Sequence, residues 1–298
     1  MTAPGPTGNR RQRLKYWTSV AFVENPWELP EIARECEVAG FEGIVVPDHL
    51  VLPHNVDTYP YTPDGSPRWP DGTPWPDPWV AIGAMAAATE RIRFATGVYV
   101  LPARNIFVTA KSVGTAAVMS RNRVVLGAGA GWCEREFELG EQPFDRRGAR
   151  MEELIAGLRA LWGDFDAAYC GDYVGFAEVD IRPLPTEPVP IWLGGDSDRA
   201  LRRAASLADG WIGLDYSLED LLPRLEALRR LRHEAGRGDE AFDVVVVVRA
   251  KPSTALHDQL SDAGVTGLIT VPWFFTGKDP GPLENKIEGI HFYADRYL

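Results

Sequence analysis

Three short stretches of this chain carry residues that can do chemistry. Pro47-Asp48-His49 directly follows the apolar run Gly43-Ile44-Val45-Val46. An imidazole titrates near neutrality, so a histidine held where a strand ends can move a proton or lie against a ring, with Asp48 beside it to orient it. Its bland alternative is to tie down the loop that follows. Pro190-Ile191-Trp192-Leu193-Gly194-Gly195-Asp196-Ser197-Asp198-Arg199 reads as a strand, a glycine turn and a capped helix in succession. Two glycines let a ligand approach the backbone, and a helix start offers unpaired amides and its positive dipole end to an anion. Asp196 or Ser197 can cap that helix; an ordinary tight bend is the competing reading. The glycine-rich Gly127-Ala128-Gly129-Ala130-Gly131 leads to Trp132 and Glu134. Residues 50–77 form a long proline-rich segment with Tyr59, Tyr61, Trp69 and Trp75, too long for an ordinary loop and too aromatic for a flexible linker. It reads as a lid or pocket wall.

These stretches share a site only if one scaffold brings them to the same end. Apolar periodicity predicts strands over residues 14–22, 43–46, 92–100, 123–127, 189–193, 210–214, 244–249 and 267–271. Helices are predicted over 26–39, 79–89, 106–119, 147–162, 196–208, 218–236, 253–263 and 282–296, with an inserted β-hairpin within 167–185. Eight alternating strands and helices, with no low-complexity linker between them, favour an α/β fold of the (β/α)8 TIM-barrel type over a doubly wound sheet. On this reading residues 1–13 are a disordered leader and residues 14–298 a single barrel domain. Chemistry then sits at the carboxyl ends of the strands, where all three stretches fall.

Composition narrows the partners. With 298 residues and a net charge of -11, the chain carries no basic stripe to hold nucleic acid. It lacks a run of about 18 apolar residues, which disfavours a membrane span, and its first residues lack the apolar core of a signal peptide. Cys36, Cys133 and Cys170 are far apart and outside metal or disulfide spacing, which points to the reducing cytoplasm and no metal site.

Taken together, Ala39-Gly40-Phe41-Glu42-Gly43-Ile44 leading to Asp48-His49, Ala87-Ala88-Thr89-Glu90-Arg91-Ile92-Arg93-Phe94-Ala95-Thr96-Gly97-Val98, Leu126-Gly127-Ala128-Gly129-Ala130-Gly131-Trp132 and the Gly194-Gly195 turn resemble the bacterial luciferase-like monooxygenase superfamily. Within it the chain is most similar to the F420-dependent oxidoreductase branch. The resemblance implies a luciferase-like (β/α)8 barrel that binds coenzyme F420, with FMN as the alternative, across the mouth of the barrel. It implies a cis Gly97–Val98 peptide behind the ring and a homodimer. It sets Asp48 and His49 beside the ring, Ala130 and Gly131 against the ring and ribityl chain, and Leu193, Gly194, Gly195 and Asp196 at the phosphate. Cations for the cofactor tail are sought at Arg199, Arg202, Arg203, Lys111 and Arg104. Dehydrogenases of this branch carry a glutamate where this chain has Trp132, so the acid role passes to Glu134 as candidate, beside His49 and Asp48. Trp132 and Trp75 are candidate substrate contacts. The implied activity is hydride transfer between the deazaflavin and a small organic substrate. The alternatives are an FMN-dependent monooxygenase served by a separate flavin reductase, and a cofactor-binding barrel without catalysis.

Overall fold

The computed structural model describes residues 13–53, 58–62, 64–163 and 165–298. The expected leader, apart from Arg13, lies outside the described residues, as does His54 of the long loop. The strands are β1 (Lys15–Ser19), β2 (Gly43–Val46), β3 (Arg93–Thr96) with its short continuation β4 (Tyr99–Val100), β5 (Val124–Gly129), the hairpin β6 (Ala167–Cys170) and β7 (Gly175–Val179), β8 (Ile191–Gly194), β9 (Gly210–Tyr216), β10 (Asp243–Val248) and β11 (Gly267–Thr270). Around them lie α1 (Leu29–Ala39), α2 (Pro78–Ala87), α3 (Ile106–Met119), a short α4 (Glu134–Leu139), α5 (Arg147–Gly163), α6 (Asp198–Leu207), α7 (Leu218–Glu234), α8 (Thr254–Asp262) and α9 (Leu283–Tyr297).

Parallel pairing runs in the order β3-β2-β1-β11-β10-β9-β8-β5. β5 then pairs back onto β3 through Phe94–Val124 and Ala95–Val125, which closes an eight-stranded (β/α)8 barrel. Each strand is a short, nearly continuous apolar run because it is covered on both faces, by helices outside and by side chains within. The inner face is one cluster to which every barrel strand contributes a residue: Trp17, Val45, Ala95, Val125, Trp192, Ile212, Val245 and Ile269. Trp17 and Trp192 meet edge to face at 5.1 Å within it. Gly43 makes this possible, because an added Cβ there would overlap the Trp17 ring. The barrel is thus a packed core, and ligands are left with its rim.

The structure revises several boundaries. The strand expected over 92–100 is broken in two: β3 ends at Thr96, the Gly97–Val98 peptide is cis, and pairing resumes at Tyr99 opposite Ala128. The helix expected from Asp196 begins at Asp198, with Ser197 as its cap accepting the Ala200 amide at 3.2 Å. Asp196 therefore stays in the turn. The strand over 123–127 runs on to Gly129, and α4 was not foreseen. The hairpin before β8 does form, and Glu153 of α5 fastens its turn by accepting the amides of Asp172, Tyr173 and Val174 at 2.9, 2.7 and 2.9 Å.

Candidate active site at the barrel mouth

Where β2 ends, Asp48 and His49 go to different tasks. Asp48 is buried; its Oδ2 accepts the Val100 amide at 2.9 Å and its Oδ1 accepts Arg104 Nη2 at 2.7 Å. Burial pushes the carboxyl up, and the Arg104 charge and the Val100 amide act against that. Arg104 also lies over the Tyr99 ring, 4.2 Å from its centroid. Asp48 thus ties the end of β2 to β4 and the turn after it, and neither of its oxygens is turned to solvent chemistry. Arg104, one of the sought cations, is spent in the same pair.

His49 has a different partner. Its Nδ1 lies 3.2 Å from Oε2 of Glu136, whose Oε1 accepts the Leu50 amide at 2.6 Å. Glu136 is fully buried. With Glu136 as a carboxylate, Nδ1 is the donor to Oε2, and a singly protonated ring then keeps the Nε2 lone pair. The short α4 sets this up, because Cys133, Glu136 and Phe137, at helical i, i+3, i+4 spacing, are all buried on one side. Glu138 on the opposite side pairs with Arg135 at 2.6 Å. Glu134, the candidate acid, is exposed, and among the described residues it is Glu136, not Glu134, that pairs with His49.

Aromatic side chains enclose the His49 ring. Its centroid is 4.8 Å from Trp75, 5.4 Å from Trp69 and 6.0 Å from Trp132. Tyr59 joins them, 5.0 Å from Trp69 and 5.2 Å from Trp132. The loop between β2 and α2 thereby folds down onto the residues after β5. Its far side is fastened by Arg68, 2.5 Å from Asp215 near the end of β9, and Asp215 is shared with Arg249 at 3.0 Å. Tyr61 of the same loop has its hydroxyl pKa raised by burial, with the Asp196 charge adding to this and Arg147 opposing it.

At the glycine turn after β8, Gly195 has φ +103°, and an added Cβ would stand 2.9 Å from the Ala200 Cβ. Its carbonyl accepts Trp211 Nε1 at 2.9 Å. Val98, just past the cis peptide, faces both glycine segments: a Cβ on Gly194 would stand 2.9 Å from it, and one on Gly129 2.5 Å. Gly97, Val98, Gly129 and Gly194 thus converge over the bore, while Leu193 is buried on the outer, helix-covered side of β8. Ala130 and Gly131 are half-buried beside them, and the Gly131 carbonyl accepts Arg147 Nε at 3.0 Å. Asp196 is drawn to Arg224 at 3.8 Å, which offsets its charge at the turn. Ser197 satisfies Ala200, leaving the first-turn amides of Asp198 and Arg199 without helical partners. Backbone without a Cβ, a positive φ and a helix start together fit a phosphate group there. Arg199 is exposed and unpaired among the described residues, whereas Arg202 faces Glu234 at 3.9 Å, Arg203 faces Glu152 at 2.9 Å and Lys111 bonds the Arg182 carbonyl.

The mouth thus brings His49, Trp75, Trp132, Val98 and the Gly194–Gly195 turn to one end of the barrel, and adds Glu136. The chain is thus a closed parallel barrel with an imidazole–carboxylate pair and a glycine turn at a helix start on its carboxyl-end rim. Residues 6–263 match the luciferase-like monooxygenase family, and the chain belongs to that family. An uncharacterised protein of Mycobacterium tuberculosis is 35% identical over 290 residues, covering 96% of this chain and 99% of its own. A protein of Nakamurella multipartita named F420-dependent glucose-6-phosphate dehydrogenase is 31% identical over 247 residues, covering 80% of this chain and 67% of its own. The crystal structure of a monooxygenase from Streptomyces bottropensis superposes with a TM-score of 0.71 at 17% identity, covering 96% of this chain and 98% of that one. No helix among the described residues is long and apolar enough to cross a membrane.

Proposed function

We propose that this chain is an F420-dependent oxidoreductase that passes a hydride between the deazaflavin and a small organic substrate. The observation that carries the reading is the His49–Glu136 pair, held under the aromatic loop on the same rim as the Gly194–Gly195 turn. The relative named F420-dependent glucose-6-phosphate dehydrogenase supports the choice of F420 over FMN. The working unit in this reading is the barrel over residues 14–298, as a cytoplasmic homodimer. Its three unpaired cysteines suit that compartment, and exposed Val80, Val108 and Met119 on α2 and α3 suit a second subunit.

Gly195, Asp196 and the amides of Asp198 and Arg199 would hold the cofactor's phosphate, with Arg199 free for its acidic tail. Gly97 and Val98 would stand behind its ring, with Ala130 and Gly131 at its side. When bound, the deazaflavin supplies a carbon that accepts or gives hydride. Oxidising an alcohol carbon also frees a hydroxyl proton, and His49 Nε2 takes it while Glu136 keeps the other ring nitrogen protonated. Trp69, Trp75 and Trp132 exclude water from that transfer. Asp48 and Arg104 hold the segment that carries His49.

Titrating the protein with F420 and, separately, FMN, read by cofactor fluorescence, tests the reading: F420 saturates at the lower concentration. Gly195→Val then weakens F420 by more than about tenfold, roughly 1.4 kcal/mol, because a branched side chain at φ +103° strains the turn and blocks the approach. Tighter binding of FMN moves the chain to the flavin-dependent class; a folded Gly195→Val variant with unchanged affinity removes the phosphate from this turn. Glu136→Gln offers His49 an amide N–H in place of a carboxylate oxygen and so turns Nε2 into the protonated nitrogen. Turnover falls by about a hundredfold with KM and cofactor Kd within a few-fold. Equal losses in all three would make Glu136 a packing residue.

A further inference from the structure

The proposed proton transfer at His49 leaves open what is oxidised, and the walls around the ring bear on that. Among the described residues, every ring in contact with His49 belongs to a tryptophan, and Tyr59 stands behind them. Three arginines of the mouth already have partners, Arg68 among them although it also lies 6.0 Å from the Tyr59 ring centroid. Arg104 is locked onto Asp48, Arg68 onto Asp215, and Arg147 holds the Gly131 carbonyl while lying 3.8 Å from the Phe144 ring centroid. A phosphate or carboxylate entering here would lose its hydration and meet arginines that already have partners, which is costly in an apolar surround.

The rings also set a condition on shape. Their centroids stand 4.8–6.0 Å apart, which is contact distance, so a ligand enters only by exchanging ring–ring contacts for its own. A flat apolar molecule restores what it displaces; a hydroxyl-rich one does not. One polar atom in the cluster awaits a partner. Trp75 Nε1 is buried and, among the described residues, has no hydrogen-bond acceptor, although its ring is the nearest of the three to His49. A buried N–H left unpaired is costly, and a single acceptor on the ligand relieves it.

We propose that the site takes an uncharged, flat, mostly apolar ring compound bearing one oxygen, a cyclic ketone or its alcohol, whose oxygen accepts from Trp75 Nε1 beside His49. This deepens the proposed function and rests on it for the reaction, though not for binding. Calorimetric titration of the full-length protein with 1-indanone, indane and glucose 6-phosphate tests it, each with and without whichever of F420 or FMN binds. Wild type binds 1-indanone more tightly than indane and gives no heat with the sugar phosphate. Trp75→Phe, which keeps a ring and removes the N–H, weakens 1-indanone by about fivefold and leaves indane within twofold. Trp132→Phe lowers both alike. Glucose 6-phosphate binding as tightly as 1-indanone, no preference for the ketone in wild type, or a preference that survives Trp75→Phe overturns the proposal. The wild-type preference needs no variant, so a Trp75→Phe protein that fails to fold leaves the test intact. If neither cofactor binds but the ketone preference holds, the proposed activity falls and the binding class stands; cofactor binding without ketone binding has the opposite meaning.

Discussion

His49→Ala lowers turnover by about a hundredfold or more while cofactor Kd stays within a few-fold, as steady-state kinetics and cofactor titration on one preparation will register. The side chain of His49 is only 7% exposed, its Nδ1 is engaged by a buried carboxylate, and its remaining nitrogen lies among aromatic rings. Methyl in place of imidazole leaves Glu136 anchored by the Leu50 amide, so the fold survives while the proton acceptor is gone. Should affinity collapse with turnover at saturation preserved, His49 binds the ring and the acceptor is another group.

Removing residues 59–75 abolishes turnover and spares cofactor binding. That segment supplies Trp69, Trp75 and Tyr59, the rings that keep water from His49, whereas the Gly194–Gly195 turn, Val98 and the start of α6 belong to the barrel itself. Loss of the cover leaves the acid–base group in bulk solvent and the substrate without walls. A deletion variant with full activity would return the segment to a packing role.

Much of this arrangement is legible in the residues because the barrel repeats a strong signal. Short β-branched runs followed by amphipathic helices mark the strands, and strand ends mark the rim, so the positions of His49 and the Gly194–Gly195 turn follow from pattern alone. Local chemistry that depends on which neighbour arrives is not legible. Asp196 and Ser197 are equally good caps on paper, and the choice of Ser197 is made by where β8 delivers the chain. Glu134, Glu136 and Glu138 look alike in sequence; only the packing of Phe137 and Cys133 decides that Glu136 turns inward to meet Leu50 and His49. The clue lies in the apolar pair Cys133 and Phe137, which share the buried side of α4 with Glu136. Likewise Asp48 reads as a reactive acid until Arg104, more than fifty residues on, closes over it.

The loop that covers His49 departs from β2 and is pinned at Asp215 on β9, four places round an eight-stranded ring. It therefore crosses the full diameter of the mouth, and the two ends of that span are held by unlike forces, a covalent chain at one and a half-shielded ion pair at the other. In the proposed function this orders entry and exit: the ligand that lies deepest binds before the span closes over it and departs last. Residence time of the deeper ligand becomes a property of the Arg68–Asp215 contact, shortened by salt, rather than of its own affinity alone.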